Sequence, residues 1–185
     1  MKIVVGITGA SGAIYARLVL ERLLACPDVE YIYLIYSDTA REVVAFEGET
    51  MPEDARIVVL DNADLFAPVA SGSSRCDAMI VVPCSVGTLG RIACGTAQTL
   101  MERAADVMLK ERRRLIAVVR EAPYSLIHLR NMTTLTEAGG IIVPASPSFY
   151  SHPADIEELA ATVVVRLLTL AGIDTPHYEW GTIRN

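Results

Sequence analysis

The stretch Lys2-Ile3-Val4-Val5-Gly6-Ile7-Thr8-Gly9-Ala10-Ser11-Gly12 decides how the chain is read. Residues 3–7 form a short apolar run, as expected of a strand covered on both faces. A helical pattern follows from Ala13. Between the two, glycines let the backbone turn sharply and approach a ligand closely. The free N–H groups and positive dipole end of the next helix favour an anion, and Ser11 adds a hydroxyl there. Glycines at 6, 9 and 12 match neither the dinucleotide fingerprint nor the P-loop. The segment alone therefore reads equally well as an ordinary strand-to-helix turn with a serine near the N-cap.

Working outward, apolar runs alternate with helical patterns. Strands are predicted at Ile3–Ile7, Tyr31–Tyr36, Ile57–Leu60, Met79–Val82, Leu115–Val119 and Ile141–Val143. Helices are predicted at Ala13–Ala25, Thr39–Gly48, Thr99–Glu111, Ser125–Ala138 and Ala154–Ala171, the last preceded by Pro153 and ended by Gly172. Glu49–Arg56 reads as a surface loop. Such alternation, with right-handed crossovers, makes a single-domain α/β protein with a doubly wound parallel sheet flanked by helices. Ligands of such sheets bind outside the carboxyl ends of the strands.

At those ends lie Thr8–Gly12, Ser37-Asp38-Thr39-Ala40, Pro83-Cys84-Ser85-Val86-Gly87-Thr88, Arg120-Glu121-Ala122-Pro123 and Pro144–Tyr150. Each alone is ordinary turn or capping chemistry. Together they place hydroxyls, glycines, an Arg-Glu pair and a tyrosine along one sheet edge, which suits a nucleotide-like cofactor. No acid is obviously placed to hold a ribose after the second strand. A mononucleotide such as FMN is favoured over a dinucleotide.

Composition narrows the classes. The chain has 185 residues, 52% of them hydrophobic, with a mean hydropathy of +0.37. The most apolar stretch, Ile156–Ile173, carries Glu157, Glu158 and Arg166, so it would span a membrane poorly. Burial between subunits of a homo-oligomer explains the excess better. The opening apolar run is too short for a signal peptide. Cys26, Cys76, Cys84 and Cys94 show no metal-ligand spacing with the three histidines, so no metal is expected and the cysteines read as buried, reduced thiols of a cytoplasmic protein. A net charge of −6 argues against nucleic acid. Yet six of the 16 basic residues (Arg103, Lys110, Arg112, Arg113, Arg114, Arg120) fall between 103 and 120, which suits a small anionic ligand.

Among these cations, Arg103 and Lys110 are seven apart and share a helix face. Arg112–Arg114 read as a solvated run, and Arg120 follows a strand directly. Arg166 stands in Val163-Val164-Val165-Arg166-Leu167-Leu168, where a charge is costly unless paired. It reads either as a partner of Glu157 or Glu158 or as a phosphate clamp. Glu47, at the end of an apolar helix, reads from its context as an exposed helical acid. The histidines make no triad and no GxSxG elbow accompanies Cys84-Ser85, so hydrolysis is not expected.

The segments Thr8–Gly12, Ala70-Ser71-Gly72-Ser73, Pro83-Cys84-Ser85 with Thr88-Leu89, Glu102–Val107, Leu109–Arg113, Arg120–Pro123, His128-Leu129 with Asn131-Met132, and Phe149-Tyr150 resemble the UbiX-like flavin prenyltransferases nearly end to end. The related flavin-containing cysteine decarboxylases have an early active-site histidine and a Pro-x-Met-Asn-x-x-Met-Trp segment. Here no histidine precedes His128 and the only tryptophan is Trp180.

The resemblance implies a Rossmann-like flavoprotein domain over 1–185. It implies transfer of a dimethylallyl group from dimethylallyl phosphate to N5 and C6 of reduced FMN, with prenylated FMN handed to a UbiD-like decarboxylase. By the same resemblance, Gly9, Ala10, Ser11, Ser37, Ser85, Val86, Gly87, Thr88 and Arg120 hold FMN. Arg103, Lys110, Arg120, Tyr150 and Arg166 hold the prenyl phosphate. Ser11, Glu47, Lys110 and Glu121 are catalytic, which revises the reading of Glu47. The family assembles as homododecamers with sites between subunits.

Two departures are visible: a short Glu49–Arg56 loop, and Gly87 where a bulkier or basic residue is common. The lack of an Asp-rich diphosphate motif favours a monophosphate donor. An FMN-dependent decarboxylase and a non-catalytic FMN carrier are the alternatives.

Overall fold

The computed structural model describes residues 1–175. Six strands, β1 (Lys2–Ile7), β2 (Tyr31–Tyr36), β3 (Ile57–Leu60), β4 (Ala78–Cys84), β5 (Arg114–Val119) and β6 (Ile141–Pro144), form one sheet. All pairings are parallel and the order is β3-β2-β1-β4-β5-β6. The order reverses between β1 and β4, and the crevice at such a reversal is where α/β sheets take ligands. The apolar runs read as strands are the observed ones. β4 is buried along its whole length, as a central strand covered on both faces must be.

Helices α1 (Ala13–Ala25), α2 (Ala40–Phe46) and α6 (Ile156–Ala171) cover one face. Their Leu20, Leu23, Val164 and Leu167 pack on Ile3, Val5, Ile32 and Ile80. Helices α3 (Val86–Ala93), α4 (Leu100–Lys110) and α5 (Leu126–Glu137) cover the other. There Leu89, Met101, Met108 and Leu135 meet Val4, Met79, Val81 and Leu115. A Cβ on Gly6 would stand 3.2 Å from Met101 Sδ, so this glycine lets α4 close on β1.

The sequence reading omitted α3, taking Pro83–Thr88 as turn only. The helix is two turns long, too short for its period to stand out beside two glycines. Its amphipathic face (Thr88, Leu89, Ile92) shows once the sheet behind it is known. The five predicted helices are present, with ends displaced by one or two residues.

At the β1/β4 seam, the buried Thr8 hydroxyl donates to Pro83 O at 2.7 Å and accepts from Ser85 N–H at 2.9 Å. Its own N–H donates to Pro83 O at 3.3 Å. Thr8→Val keeps the shape but leaves the Ser85 N–H without its acceptor and Pro83 O with only the Thr8 N–H. It is expected to cost about 1–3 kcal/mol in denaturant unfolding, whereas a peripheral threonine such as Thr133 changed to Val costs far less.

Candidate functional site

The carboxyl edge of the sheet gathers most of the expected site. After β1, Gly12 takes φ 110° and serves as N-cap of α1. A Cβ on Gly9 would lie 2.1 Å from Thr39 Oγ1, so only glycine lets the β1 turn pass the start of α2. After β4, Ser85 caps α3. Its Oγ accepts from Thr88 N–H at 3.3 Å and donates to Thr88 Oγ1 at 3.1 Å. After β2, Ser37 N–H is tied to Ile7 O at 2.9 Å.

The expectation that the α1 N-terminus receives a ligand anion is corrected here. Glu47, from the end of α2, fills that position. Its carboxylate accepts Gly12 N–H at 3.0 Å and Ala13 N–H at 2.7 Å. It also takes a hydrogen bond from Ser11. A helix N-terminus favours any anion, and this fold supplies one from within. Partial burial works to raise the Glu47 pKa, but the Ser11 hydroxyl, the Ala13 and Gly12 amides and Arg120 outweigh it and hold the carboxyl below its ordinary value. Glu47 is thus a fixed, ionised group rather than an exposed helical acid.

Arg120 follows β5, its N–H bonded to Cys84 O at 3.2 Å, and its charge reaches Glu47. Glu121 accepts from Ala122 N–H at 2.9 Å. Tyr150, beyond β6, is 65% exposed on the same edge. One chain thus gathers the ends carrying Gly9, Ala10, Ser11, Ser37, Glu47, Ser85–Thr88, Arg120, Glu121 and Tyr150.

Three expected residues lie elsewhere. Lys110 ends α4, four residues before β5 begins, so it stands at the amino edge, paired with Glu111. Arg103 donates to Ala70 O at 3.0 Å and pairs with Asp106 at 2.6 Å, against the loop that leads into β4. Arg166 is ten residues into α6, about 15 Å below its start. It lies on the exposed side of that helix, between the buried pairs Val163-Val164 and Leu167-Leu168. Neither expected partner takes it: Glu157 pairs with Arg17 at 2.9 Å and Glu158 accepts Ala154 N–H at 2.8 Å. Its apolar neighbours in sequence are on the opposite helix face, so no buried charge needs compensation.

The cysteines also divide. Cys76 and Cys84 are buried, Cys26 is half-buried and Cys94 is exposed, which corrects the reading of four buried thiols. Burial pushes the Cys84 thiol up to about 12, so it is no nucleophile. His128 accepts Ser125 N–H at 3.1 Å as part of a capping box, away from any triad. His177 and Trp180 lie outside the described residues.

Sequence reasoning passed over Arg91 and the individual role of Glu102. Glu102, 2% exposed, pairs with Arg91 and accepts Gln98 and Thr99 N–H. The Thr99-x-x-Glu102 capping box was the available signal.

The edge suits a flavin mononucleotide. Among the described residues, the N–H groups of Gly9, Ala10, Ser11, Val86 and Gly87 donate to no protein acceptor. These donors, with the hydroxyls of Ser37 and Ser85, match the demands of a phosphate and of the polar rim of a flavin ring.

A doubly wound sheet with its open donors gathered at the β1/β4 reversal is the architecture of nucleotide-binding α/β proteins. The profile of the family described as Flavoprotein matches residues 1–168. Flavin prenyltransferase UbiX of Thermoplasma acidophilum is 47% identical over 176 residues, 94% of this chain and 96% of that one. A dodecameric FMN-dependent UbiX-like decarboxylase from Escherichia coli O157:H7 superposes with TM-score 0.89 at 41% identity, covering 97% of this chain and 99% of that one. AnUbiX in complex with FMN and dimethylallyl pyrophosphate superposes with TM-score 0.85 at 43% identity, covering 97% and 98%. The chain belongs to the Flavoprotein family and, within it, to the UbiX-like flavin prenyltransferases.

Because the folded pKa of Glu47 lies below the ordinary 4.5, its stabilisation is complete above that value and lost as pH falls through the folded pKa. Wild type is expected to exceed Glu47→Gln in stability at pH 7, with the gap closing below pH 4.5 in denaturant titrations. Iodoacetamide at pH 7.5 is expected to label Cys94 and spare Cys84, read by peptide mass spectrometry.

Proposed function

We propose that this protein transfers a dimethylallyl group from dimethylallyl phosphate to N5 and C6 of reduced FMN. It then releases prenylated FMN for a separate UbiD-like decarboxylase. The observation that carries the reading is the Ser11–Glu47–Arg120 cluster at the sheet reversal, beside donors that no protein group occupies. Reduced flavin supplies the nucleophilic N5 and C6.

Ser37, Ser85, Val86, Gly87 and Thr88 present hydroxyls and N–H groups to the flavin phosphate, while Gly9, Ala10, Ser11 and Arg120 border the ring. Glu47, held ionised, orients the Ser11 hydroxyl, and the pair accepts the proton lost when C6 is substituted. Among the described residues, Glu121 accepts one hydrogen bond, from its neighbour's N–H. It is the carboxyl available to serve the departing phosphate. Cations on the leaving group stabilise charge as the allylic C–O bond breaks.

Arg120 and Tyr150 reach that phosphate from this chain. We assign Lys110 and Arg166 to it from neighbouring copies, since they stand away from the carboxyl edge of their own chain, and Arg103 with them, since its guanidinium is engaged by Ala70 O and Asp106. Leu126, Ile127 and Leu129 of α5, together with Phe149, are exposed. They offer the apolar surface that a homo-oligomer, in this reading a dodecamer, would cover. The described residues include no helix long and apolar enough to cross a membrane. Free cysteines support a cytoplasmic setting.

Anaerobic incubation with reduced FMN and dimethylallyl phosphate is expected to yield a flavin heavier by one dimethylallyl unit. Unmodified FMN, with binding confirmed and the diphosphate donor also tried, would favour a carrier or a decarboxylase. Lys110→Ala is expected to keep FMN and lose transfer by 100-fold or more, on the order of removing one preorganised charge from a leaving group. Mixing it with a Glu121→Gln chain should restore part of the activity if Lys110 acts across a subunit boundary.

A further inference from the structure

The Arg91–Glu102 pair lies beside the first turn of α3 and belongs to no role described so far. Arg91 Nε donates to the Glu102 carboxylate, and Arg91 Nη2 donates to Thr88 Oγ1 at 3.2 Å. Thr88 Oγ1 in turn accepts from Ser85 Oγ. A Cβ on Gly87 would stand 3.5 Å from Arg91 Nη1, so the guanidinium lies along the turn whose Val86 and Gly87 N–H groups are open. Any larger residue at 87 would extend into that space.

Glu102 is the anchor of this arrangement. It is almost wholly buried, yet two N–H groups at the start of α4 and the Arg91 Nε–H satisfy it. A buried carboxylate cannot follow a mobile partner, so it fixes where Arg91 stands. Arg91 itself is about half exposed, and Nη1 donates to no group among the described residues. Independently, a cavity of about 60 Å³ opens here, its polar lining supplied by Ser37, Asp38, Asn62, Thr88, Thr99, Arg91 and Glu102. It joins the Ser37 turn after β2 to the Ser85–Thr88 turn after β4; Arg91 is the cation on its wall, Glu102 is engaged by that cation, and Asp38 is the other carboxylate.

We propose that Arg91 is the cation that binds the FMN phosphate, held toward the Ser37–Thr88 cavity by Glu102 as a positioning residue. The open face of the guanidinium and the Val86 and Gly87 amides provide convergent donors, the arrangement in which arginine binds phosphate most strongly. Gly87 leaves space on the turn, and Arg91 one helical turn later brings the charge to it. The assignment rests on the flavin reading above.

The test compares FMN with riboflavin, which lacks the phosphate, by titrating flavin fluorescence against the intact oligomer. Arg91→Ala is expected to weaken FMN about 10- to 100-fold and to leave riboflavin within about twofold, with Arg91→Lys recovering part of the loss. Glu102→Gln is expected to weaken FMN by a smaller factor and to add nothing in the Arg91→Ala background. Riboflavin binding reports that each variant is folded. Equal loss of both flavins in Arg91→Ala, or no loss of FMN, overturns the assignment while wild-type FMN binding stands. Failure of the wild type itself to bind FMN would instead overturn the flavin reading and this assignment with it.

Discussion

The Thr8 hydroxyl bridges the ends of β1 and β4, donating to Pro83 O and accepting from Ser85 N–H in a position closed to water. Parallel neighbours at a sheet reversal send their following helices to opposite faces, so nothing in the ladder itself holds their two exits together. Here Thr8 does so, with its buried hydroxyl and with its own N–H on Pro83 O. The turn Gly9–Gly12 leaves from one side of that bridge and the turn Ser85–Thr88 from the other. Every open donor on β1 and β4 is therefore placed relative to a single oxygen. A buried hydroxyl with both its donor and acceptor functions used is costly to replace, because removing it leaves the Ser85 N–H unpaired and takes one of two donors from Pro83 O.

From that seam the electrostatics divide. The α1 N-terminus is neutralised internally by Glu47, which converts a general anion site into an ionised, well-anchored carboxylate beside Ser11 and Arg120. The α3 N-terminus has a neutral serine cap instead, and its first amides stay open. In the proposed reading a ligand phosphate goes to α3 and the α2 turn. The carboxylate of that reading stays at α1, so the two proposed functions would not compete for one set of N–H groups. Buried Glu102 repeats the device at α4, where it satisfies the helix start and fixes an arginine.

The high apolar content has a specific location. α5 buries only Leu135 while presenting Leu126, Ile127 and Leu129 outward. Lys110 is at the sheet edge opposite the strand-end turns, and Arg103, in the first turn of α4, is turned away from them onto Ala70 O and Asp106. An apolar helix face and a displaced set of cations both point to a site completed between copies. Association would then supply the positive charge a leaving phosphate requires, in a place from which packing excludes water.

Six strands and five of six helices were legible in the sequence, because Val/Ile runs and capping residues are local signals that the tertiary structure did not override. The strand-end turns were legible too, since ligand position in a doubly wound sheet follows from topology. Glu47 was picked out by the resemblance but not by its context, which describes a helix end; only folding brings it 35 residues back to Gly12. Arg166 misled in the opposite sense, because apolar neighbours in sequence lie across the helix from it in space. Arg91 and Glu102 are eleven apart on different helices, and no local pattern joins them. The sequence by itself determined which segments become strands and which turns carry hydroxyls, since those depend on periodicity and local propensity. Only the tertiary structure decided which charges meet, because ion pairs and caps between separate elements depend on how those elements pack.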